Sequence, residues 1–284
     1  MILQIQKQTG VGVRQICRVL GTPRSGFYHA ARPTLMQLSD QREGKLIEVI
    51  FKQNSRRYGH RRIWRELAEH GVICAPCRVR RIMQERGLRA IQPKNFVPKT
   101  SDGKALKPAP NLLAERTVPS KPNQVWTADI TFIPTAAGWL YLAVVMDLCS
   151  RRILGWKLAN HMRSELVIEA FTQAVRSRHA TKPAIFHSDR GSQYGSAAFR
   201  AALHGAGFRQ SMSARSNPYD NAWTESFIGT LKREMLQTGC FHNLQDANTE
   251  IFEYIEGYYN TRRKHSALGY RSPAQFERDS FTLN

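Results

Sequence analysis

Acidic residues are scarce in this 284-residue chain: 22 Asp and Glu stand against 42 Lys and Arg, a formal net charge of +20. That imbalance disfavours a cationic partner and points to a polyanion, nucleic acid first. Cysteine is sparse too. Five cysteines at irregular spacing do not make the disulfide framework of a small secreted domain, and a reducing cytoplasm fits them. No long hydrophobic run is present. The longest, Trp139–Met146, is far short of the roughly 20 residues that cross a bilayer, so no membrane partner is expected. Met1–Gln8 alternates apolar and polar residues and lacks the apolar centre of a secretory signal. An apolar fraction of 42% is ordinary for a folded protein and argues against wholesale disorder.

The positive charge is concentrated. Residues 1–123 carry 24 Lys/Arg and 8 Asp/Glu, whereas residues 124–284 carry 18 and 14. A basic half joined to a near-balanced half reads as a polyanion-binding module tethered to something else. Within the basic half, residues 13–30 read as two short helices about a tight turn. Val13, Ile16, Cys17 and Leu20 keep helical spacing, Gly21 stops the first helix, and Thr22-Pro23 opens the second. Arg24, Ser25, Tyr28 and His29 lie where a recognition helix meets DNA, so residues 1–38 are assigned as an N-terminal helix-turn-helix segment.

Residues 39–90 read as a basic helical domain of three helices, 40–53, 60–70 and 76–86. Leu46, Val49 and Ile50 are read as the inward stripe of the first, and Ile63, Trp64 and Leu67 of the second. Ten arginines and three acids fall between residues 56 and 89. Arginine favours forked contacts to phosphates and base edges, which makes Arg56, Arg57, Arg61, Arg62, Arg78, Arg80 and Arg81 candidate DNA contacts. Cys74-Ala-Pro-Cys77 has a metal-like spacing, but His60 and His70 do not complete a common zinc pattern, and two thiols near a helix start is the preferred reading. Residues 91–123 hold six of the thirteen prolines and few large apolar side chains, and are assigned as a linker.

After the linker the pattern turns to strands, at Gln124–Ile133, Trp139–Leu148 and Arg152–Leu158, an antiparallel meander. A helix at 164–178, a strand at Ala184–His187, a helix at Ser196–His204, a strand at Phe208–Met212 and a helix at Asn221–Gln237 follow. The expected class is α/β: a mixed sheet flanked by helices over 124–240, preceded by an all-α helix-turn-helix region. A last helix at about 244–260, with Ile251, Tyr254, Ile255 and Tyr258 on one face, and a tail make up 241–284.

Three carboxylates stand out. Asp129 lies mid-strand among Trp126, Ile130 and Phe132, where a charge is costly unless paired or metal-bound. Asp189 follows directly on the strand 184–187, and Glu225 lies in the first turn of the helix at 221–237, in line with Gly229 and Lys232. Carboxylates are the hard ligands that hold Mg²⁺, and two divalent ions activate an attacking oxygen and stabilise a leaving one in phosphodiester chemistry. If the first strand pairs beside the strand 184–187, Asp129 and Asp189 converge, and the later helix brings Glu225 across. Ordinary roles compete: Asp189 as a turn aspartate, Glu225 as a helix-dipole partner. Asp147 rivals Asp129 but ends a strand where a turn aspartate is expected, and Asp220 reads as a loop or capping residue.

The segments Trp126-Thr-Ala-Asp-Ile-Thr131, His187-Ser-Asp-Arg-Gly-Ser-Gln-Tyr194 and Asp220-Asn-Ala-Trp-Thr-Glu-Ser-Phe-Ile-Gly-Thr-Leu-Lys232 resemble the D-D-E motifs of bacterial insertion-sequence transposases of the IS-three family. The similarity is to its second-frame (OrfB-type) product, with a retroviral-integrase-like core. Thirty-five residues separate Asp189 from Glu225, that family's spacing. The stretches 138–148, 259–273 and 55–62 match its habits too. The resemblance implies an RNase H-like core whose Asp129, Asp189 and Glu225 hold two Mg²⁺ ions, with Mn²⁺ as a substitute. It implies water attack at an element end to release a 3′-OH, then attack by that 3′-OH on another strand. It assigns Lys232 to DNA near the cut. The implied partners are the terminal repeats and target DNA, further copies of the chain on DNA, and an upstream-frame product as partner or fusion. The implied location is the bacterial cytoplasm, at the nucleoid. Two other readings remain open at this point: a DNA-binding regulator without catalysis, and a nuclease acting on RNA–DNA hybrids.

Overall fold

A computed structural model describes residues 2–25, 27, 34–91, 108–114, 119–178, 184–214, 221–236 and 240–282. Tyr28, His29, Asp220 and most of the assigned linker lie outside the described residues. The chain forms two compact units, Met1–Ala90 and Ile91–Asn284.

The first unit is helical: α1 (Ile2–Thr9), α2 (Val13–Val19), α3 (Leu35–Gln53), α4 (His60–Glu69) and α5 (Pro76–Glu85). Helix α3 starts earlier than the apolar pattern predicts because Thr34 and Gln37 form a reciprocal cap. The Gln37 N–H donates to Thr34 Oγ1 at 3.2 Å and the Thr34 N–H donates to Gln37 Oε1 at 2.8 Å. Its buried stripe is Ile47, Ile50 and Phe51, and Tyr58, Ile63, Leu67, Val79, Ile82 and Met83 are buried in the same unit. Val49, expected inward, is 49% exposed. Four-residue spacing from Ile47 to Phe51 sets the face, and Val49 falls outside it.

The second unit is built on β1 (Val125–Thr135), β2 (Gly138–Asp147), β3 (Ile153–Ala159), β4 (Ala184–Ser188) and β5 (Phe208–Met212), in the order β3-β2-β1-β4-β5. β1–β2 and β2–β3 pair antiparallel, and β1–β4 and β4–β5 pair parallel. Its helices are α6 (Ser164–Ser177), α7 (Ala197–Gly205), α8 (Ala222–Met235), α9 (Leu244–Phe252) and α10 (Pro273–Thr282). Because strand side chains alternate, β1 buries two different faces. Trp126, Ala128 and Ile130 pack with Leu166, Phe171 and Phe199 from α6 and α7. Ile133 joins Leu142, Val144, Phe227, Leu231 and Ile251 on the opposite face, under α8 and α9. Helix α6 lies directly on β3 at Gly155, where a Cβ would fall 2.2 Å from the Ala170 carbonyl oxygen.

Helix α9 runs on as a π-helix over Glu253–Tyr259. Regular α-helical spacing predicts Tyr258 on the buried face with Tyr254. Tyr258 packs there partly buried, and the wider turn also buries Tyr259, five residues on, at 3% exposure. Asn260 then clips β3: its Oδ1 accepts the Ile153 N–H at 2.9 Å and its Nδ2 donates to the Ile153 carbonyl at 3.0 Å. Two buried polar clusters tie the C-terminal segment to the sheet unit. Glu234 on α8 accepts from Arg263 at 2.9 Å and from the Tyr254 hydroxyl at 2.8 Å. Glu277 on α10 accepts from Ser150, Arg152 and Arg178.

Candidate active site

Asp129 sits on the α8 face of β1 and is 9% exposed. Its Oδ1 accepts the Ile130 N–H at 2.7 Å. Burial pushes its carboxyl up to about 8; the charge of Asp189 adds to this, the Ile130 bond opposes it, and Glu225 adds less. Asp189 follows the end of β4. The parallel register Trp126↔Phe186 and Thr127↔His187 carries it alongside Asp129 on the neighbouring strand. Asp189 Oδ1 accepts the Gly191 N–H at 3.0 Å, and a Cβ at Gly191 would lie 3.1 Å from that oxygen. Glu225 stands at the rim, its carboxyl raised by partial desolvation first and by Asp189 second. Lys232, two turns on, is lowered by desolvation, with Asp129 opposing the shift. The four side chains expected from the sequence therefore share one electrostatic neighbourhood.

What places α8 there is a set of contacts that the sequence pattern does not reveal. Thr224, one residue before Glu225, donates through Oγ1 to Thr127 Oγ1 at 2.7 Å. Asn221 Nδ2 donates to the Ala128 carbonyl at 3.2 Å. Both anchors lie within two residues of Asp129. The loop carrying Asp189 is fixed by His187, fully buried between Ser211 Oγ at 2.8 Å and Ser213 Oγ at 3.2 Å. Arg190 Nε also donates to the Ser213 carbonyl at 2.9 Å. The available signal was polar residues at positions that β1, β4 and α8 otherwise fill with apolar ones.

Asp147 is fully buried and occupied as a turn residue. It accepts N–H groups from Asn123 at 2.6 Å, Cys149 at 3.0 Å and Ser150 at 2.8 Å, and the Ser150 hydroxyl at 3.1 Å. Among the described residues no three His, Cys, Asp or Glu side chains are grouped closely enough to hold a metal ion as they stand. Asp129, Asp189 and Glu225 form an open set of mutually repelling carboxylates.

In the first unit, Arg24, Ser25, Arg56, Arg61 and Arg80 are exposed, and Arg57, Arg62, Arg78 and Arg81 are half-buried. Asp40 engages two of the candidates, Arg78 at 2.8 Å and Arg81 at 2.6 Å. Arg81 also meets Glu85 at 2.8 Å.

A five-stranded mixed sheet flanked by helices, in one chain with a basic helical unit, is the arrangement of an integrase-core DNA-recombining protein. Family models agree: "Integrase core domain" matches residues 119–218 and 206–273, and "HTH-like domain" matches residues 39–96. The chain is 41% identical over 263 residues to the "Insertion element IS600 uncharacterized 31 kDa protein" of Shigella sonnei, covering 92% of this chain and 97% of that protein. It is 37% identical over 274 residues to the "Transposase InsF for insertion sequence IS3A" of Escherichia coli (strain K12), covering 95% of each. A chain of a simian T-cell lymphotropic virus intasome superposes with a TM-score of 0.49 at 16% identity, over 75% of this chain and 70% of that one. The chain belongs to the IS3 family of insertion-sequence transposases. Among the described residues no helix is long and apolar enough to cross a membrane.

Proposed function

We propose that the chain is the D-D-E catalytic polypeptide of its element: it binds the terminal repeats, hydrolyses a phosphodiester at the element end to release a 3′-OH, and joins that end to target DNA. The observation that carries this reading is the mutual effect of Asp129, Asp189 and Glu225. Asp189 raises the proton affinity of both Asp129 and Glu225, and Glu225 adds to that of Asp129, so the three carboxylates are held together at an energetic cost that a divalent cation offsets. The donor set fits Mg²⁺, with Mn²⁺ as a substitute, because every ligand is a hard oxygen. When bound, the metal pair supplies Lewis-acid activation of the attacking oxygen and stabilisation of the leaving one.

In this reading Asp129 and Asp189 form the fixed part of the ligand set on adjacent strands, and Glu225 closes it from α8. Lys232, on the same helix face as Glu225, meets a phosphate oxygen near the cut. Arg24 and Ser25, with the arginines of residues 56–81, hold the duplex of the element end. Joining two ends calls for at least two copies of the chain on DNA, and an upstream-frame product completes the assembly, at the nucleoid of the bacterial cell.

The test is an end-nicking assay. The purified chain, with and without the upstream-frame product, is incubated with labelled duplex carrying the terminal repeats and Mg²⁺ or Mn²⁺. Nicking at the terminus is expected, abolished in Asp129→Ala, Asp189→Ala and Glu225→Ala. Tight binding without nicking under every condition, or cleavage of RNA–DNA hybrid alone, overturns the reading.

A further inference from the structure

Arg151 and Arg152 are sequence neighbours with opposite surroundings. Arg152 is neutralised: its Nη1 lies 2.8 Å from Glu277, a carboxylate that Arg178 also reaches at 2.6 Å. Arg151 is half-buried and, among the described residues, has no acidic side chain in ion-pair contact. Its guanidinium lies over the Trp223 ring, 5.5 Å from the centroid. Burial is the largest influence on its charge and disfavours it, with Tyr259, Cys149 and Asp147 opposing. None of the three is in ion-pair contact with it among the described residues. Burial raises the Cys149 thiol to about 11, and the buried Asp147 carboxyl is already occupied by four donors.

The backbone at Arg151 adds a second observation. Its φ is +61°, in the left-handed region that favours glycine. The turn enforces this conformation. The Arg151 N–H donates to the Asp147 carbonyl at 2.9 Å, while the Asp147 carboxylate gathers the N–H groups of Cys149 and Ser150. A strained turn thus projects a cation without an ion-pair partner onto Trp223, in the first turn of α8, two residues before Glu225. A partly desolvated guanidinium backed by an aromatic ring and lacking a carboxylate is suited to a forked contact with a phosphate.

We infer that Arg151 and Trp223 form a phosphate-binding site, and that its ligand is a backbone phosphodiester of DNA lying across the start of α8. This rests on the proposed DNA-processing function and adds to it a contact in the sheet unit, separate from the arginines of the helical unit. The site explains why the turn keeps arginine where glycine would be relaxed.

The experiment measures the salt dependence of affinity for a short duplex carrying an element end, together with thermal melting of the free protein. Arg151→Gly relieves the backbone and removes the guanidinium. It is expected to melt no lower than the wild type, to bind roughly tenfold more weakly, and to lose about one from the slope of log K against log salt. Arg151→Lys is expected to keep the wild-type slope. An unchanged slope in Arg151→Gly overturns the inference, and a lower melting point beside it would mark Arg151 as a packing residue on Trp223. Equal slope loss in Arg151→Lys also overturns it. If the wild type itself binds no DNA, the proposed function fails along with the inference. If the wild type binds and nicks while Arg151→Gly matches its slope, the inference alone fails.

Discussion

The Thr224 hydroxyl donates to the Thr127 hydroxyl across 2.7 Å, and both side chains are fully buried. One partner precedes Glu225 by one residue and the other precedes Asp129 by two, so this bond, with that of Asn221 to the Ala128 carbonyl, joins the elements that carry them. Thr224→Val leaves the Thr127 hydroxyl unpaired in the interior and is expected to destabilise the fold by about 1–3 kcal/mol in urea melts. The double variant Thr127→Val/Thr224→Val removes both partners and is expected to recover most of that stability. End nicking is expected to stay at least about tenfold slow in the double variant, since α8 is then held on β1 by the Asn221 anchor without the Thr224–Thr127 bond. A double variant that nicks at the parental rate would reduce the bond to a packing contact.

Asp129 makes stability fall as pH rises. Its carboxyl is raised to about 8 in the folded, metal-free protein, whereas an unfolded aspartate titrates near ~3.9. Below pH ~4 both states are protonated and the site costs nothing; between pH ~4 and 8 unfolding releases a proton, so stability declines across that window. Asp129→Asn is therefore expected to raise the melting temperature at pH 8 by at least about 4 °C and to leave it unchanged near pH 3.5. Mn²⁺ is expected to stabilise the wild type at pH 8 and not the variant. A flat difference between the two proteins across pH contradicts this assignment.

The pair Arg263–Glu234 is buried on both sides, at 6% and 5% side-chain exposure. Removing one member strands the other charge. Arg263→Met is expected to cost about 3–5 kcal/mol, whereas Glu234→Gln, which keeps an acceptor for Tyr254, costs less. Equilibrium denaturation of the three proteins decides the ranking.

Asp40 holds Arg78 and Arg81, two of the arginines proposed to meet DNA. Its hydrogen bond to Arg81 is the largest influence on its carboxyl, which lies below the usual range. Asp40→Asn is expected to strengthen non-specific duplex binding and steepen its salt dependence, because each guanidinium loses one of its two carboxylate partners, Arg78 keeping Glu43 and Arg81 keeping Glu85. Filter binding across a salt series provides the check; unchanged affinity would mean that neither arginine faces DNA.

The alternation of β1 and the order of elements after residue 124 were legible because period-2 burial is a local property of the chain. Asp129 was legible for the same reason, as a charge where the pattern demands an apolar residue. Asp189 and Glu225 were not distinguishable by physics from a turn aspartate and a dipole partner, and only the motif around each selected them. The adjacency of β1 and β4 is non-local and could be framed only as a condition. Val49 misled because one helical turn offers several apolar stripes, and the choice among them depends on partners in α4 and α5. Thr127, Thr224 and Asn221 were passed over because a hydroxyl or amide becomes informative only when its partner, nearly a hundred residues away, is known.

The π-helix at Glu253–Tyr259 gives the C-terminal segment one residue of slack. Each residue of an α-helix advances the phase by about 100°, and a π-turn accommodates one extra residue while the helix beyond it keeps its direction. Loss of the exposed Gly257 would therefore let the helix relax to ordinary pitch, with Asn260 still on the Ile153 backbone and Arg263 still on Glu234. Loss of one residue from the regular turns of α9 has no such reserve, and would rotate Asn260 and Arg263 off both partners. Two in-frame losses of a single codon, a few positions apart, would thus have opposite fates. One would shorten the chain harmlessly, and the other would separate the C-terminal segment from α8, the helix that carries Glu225.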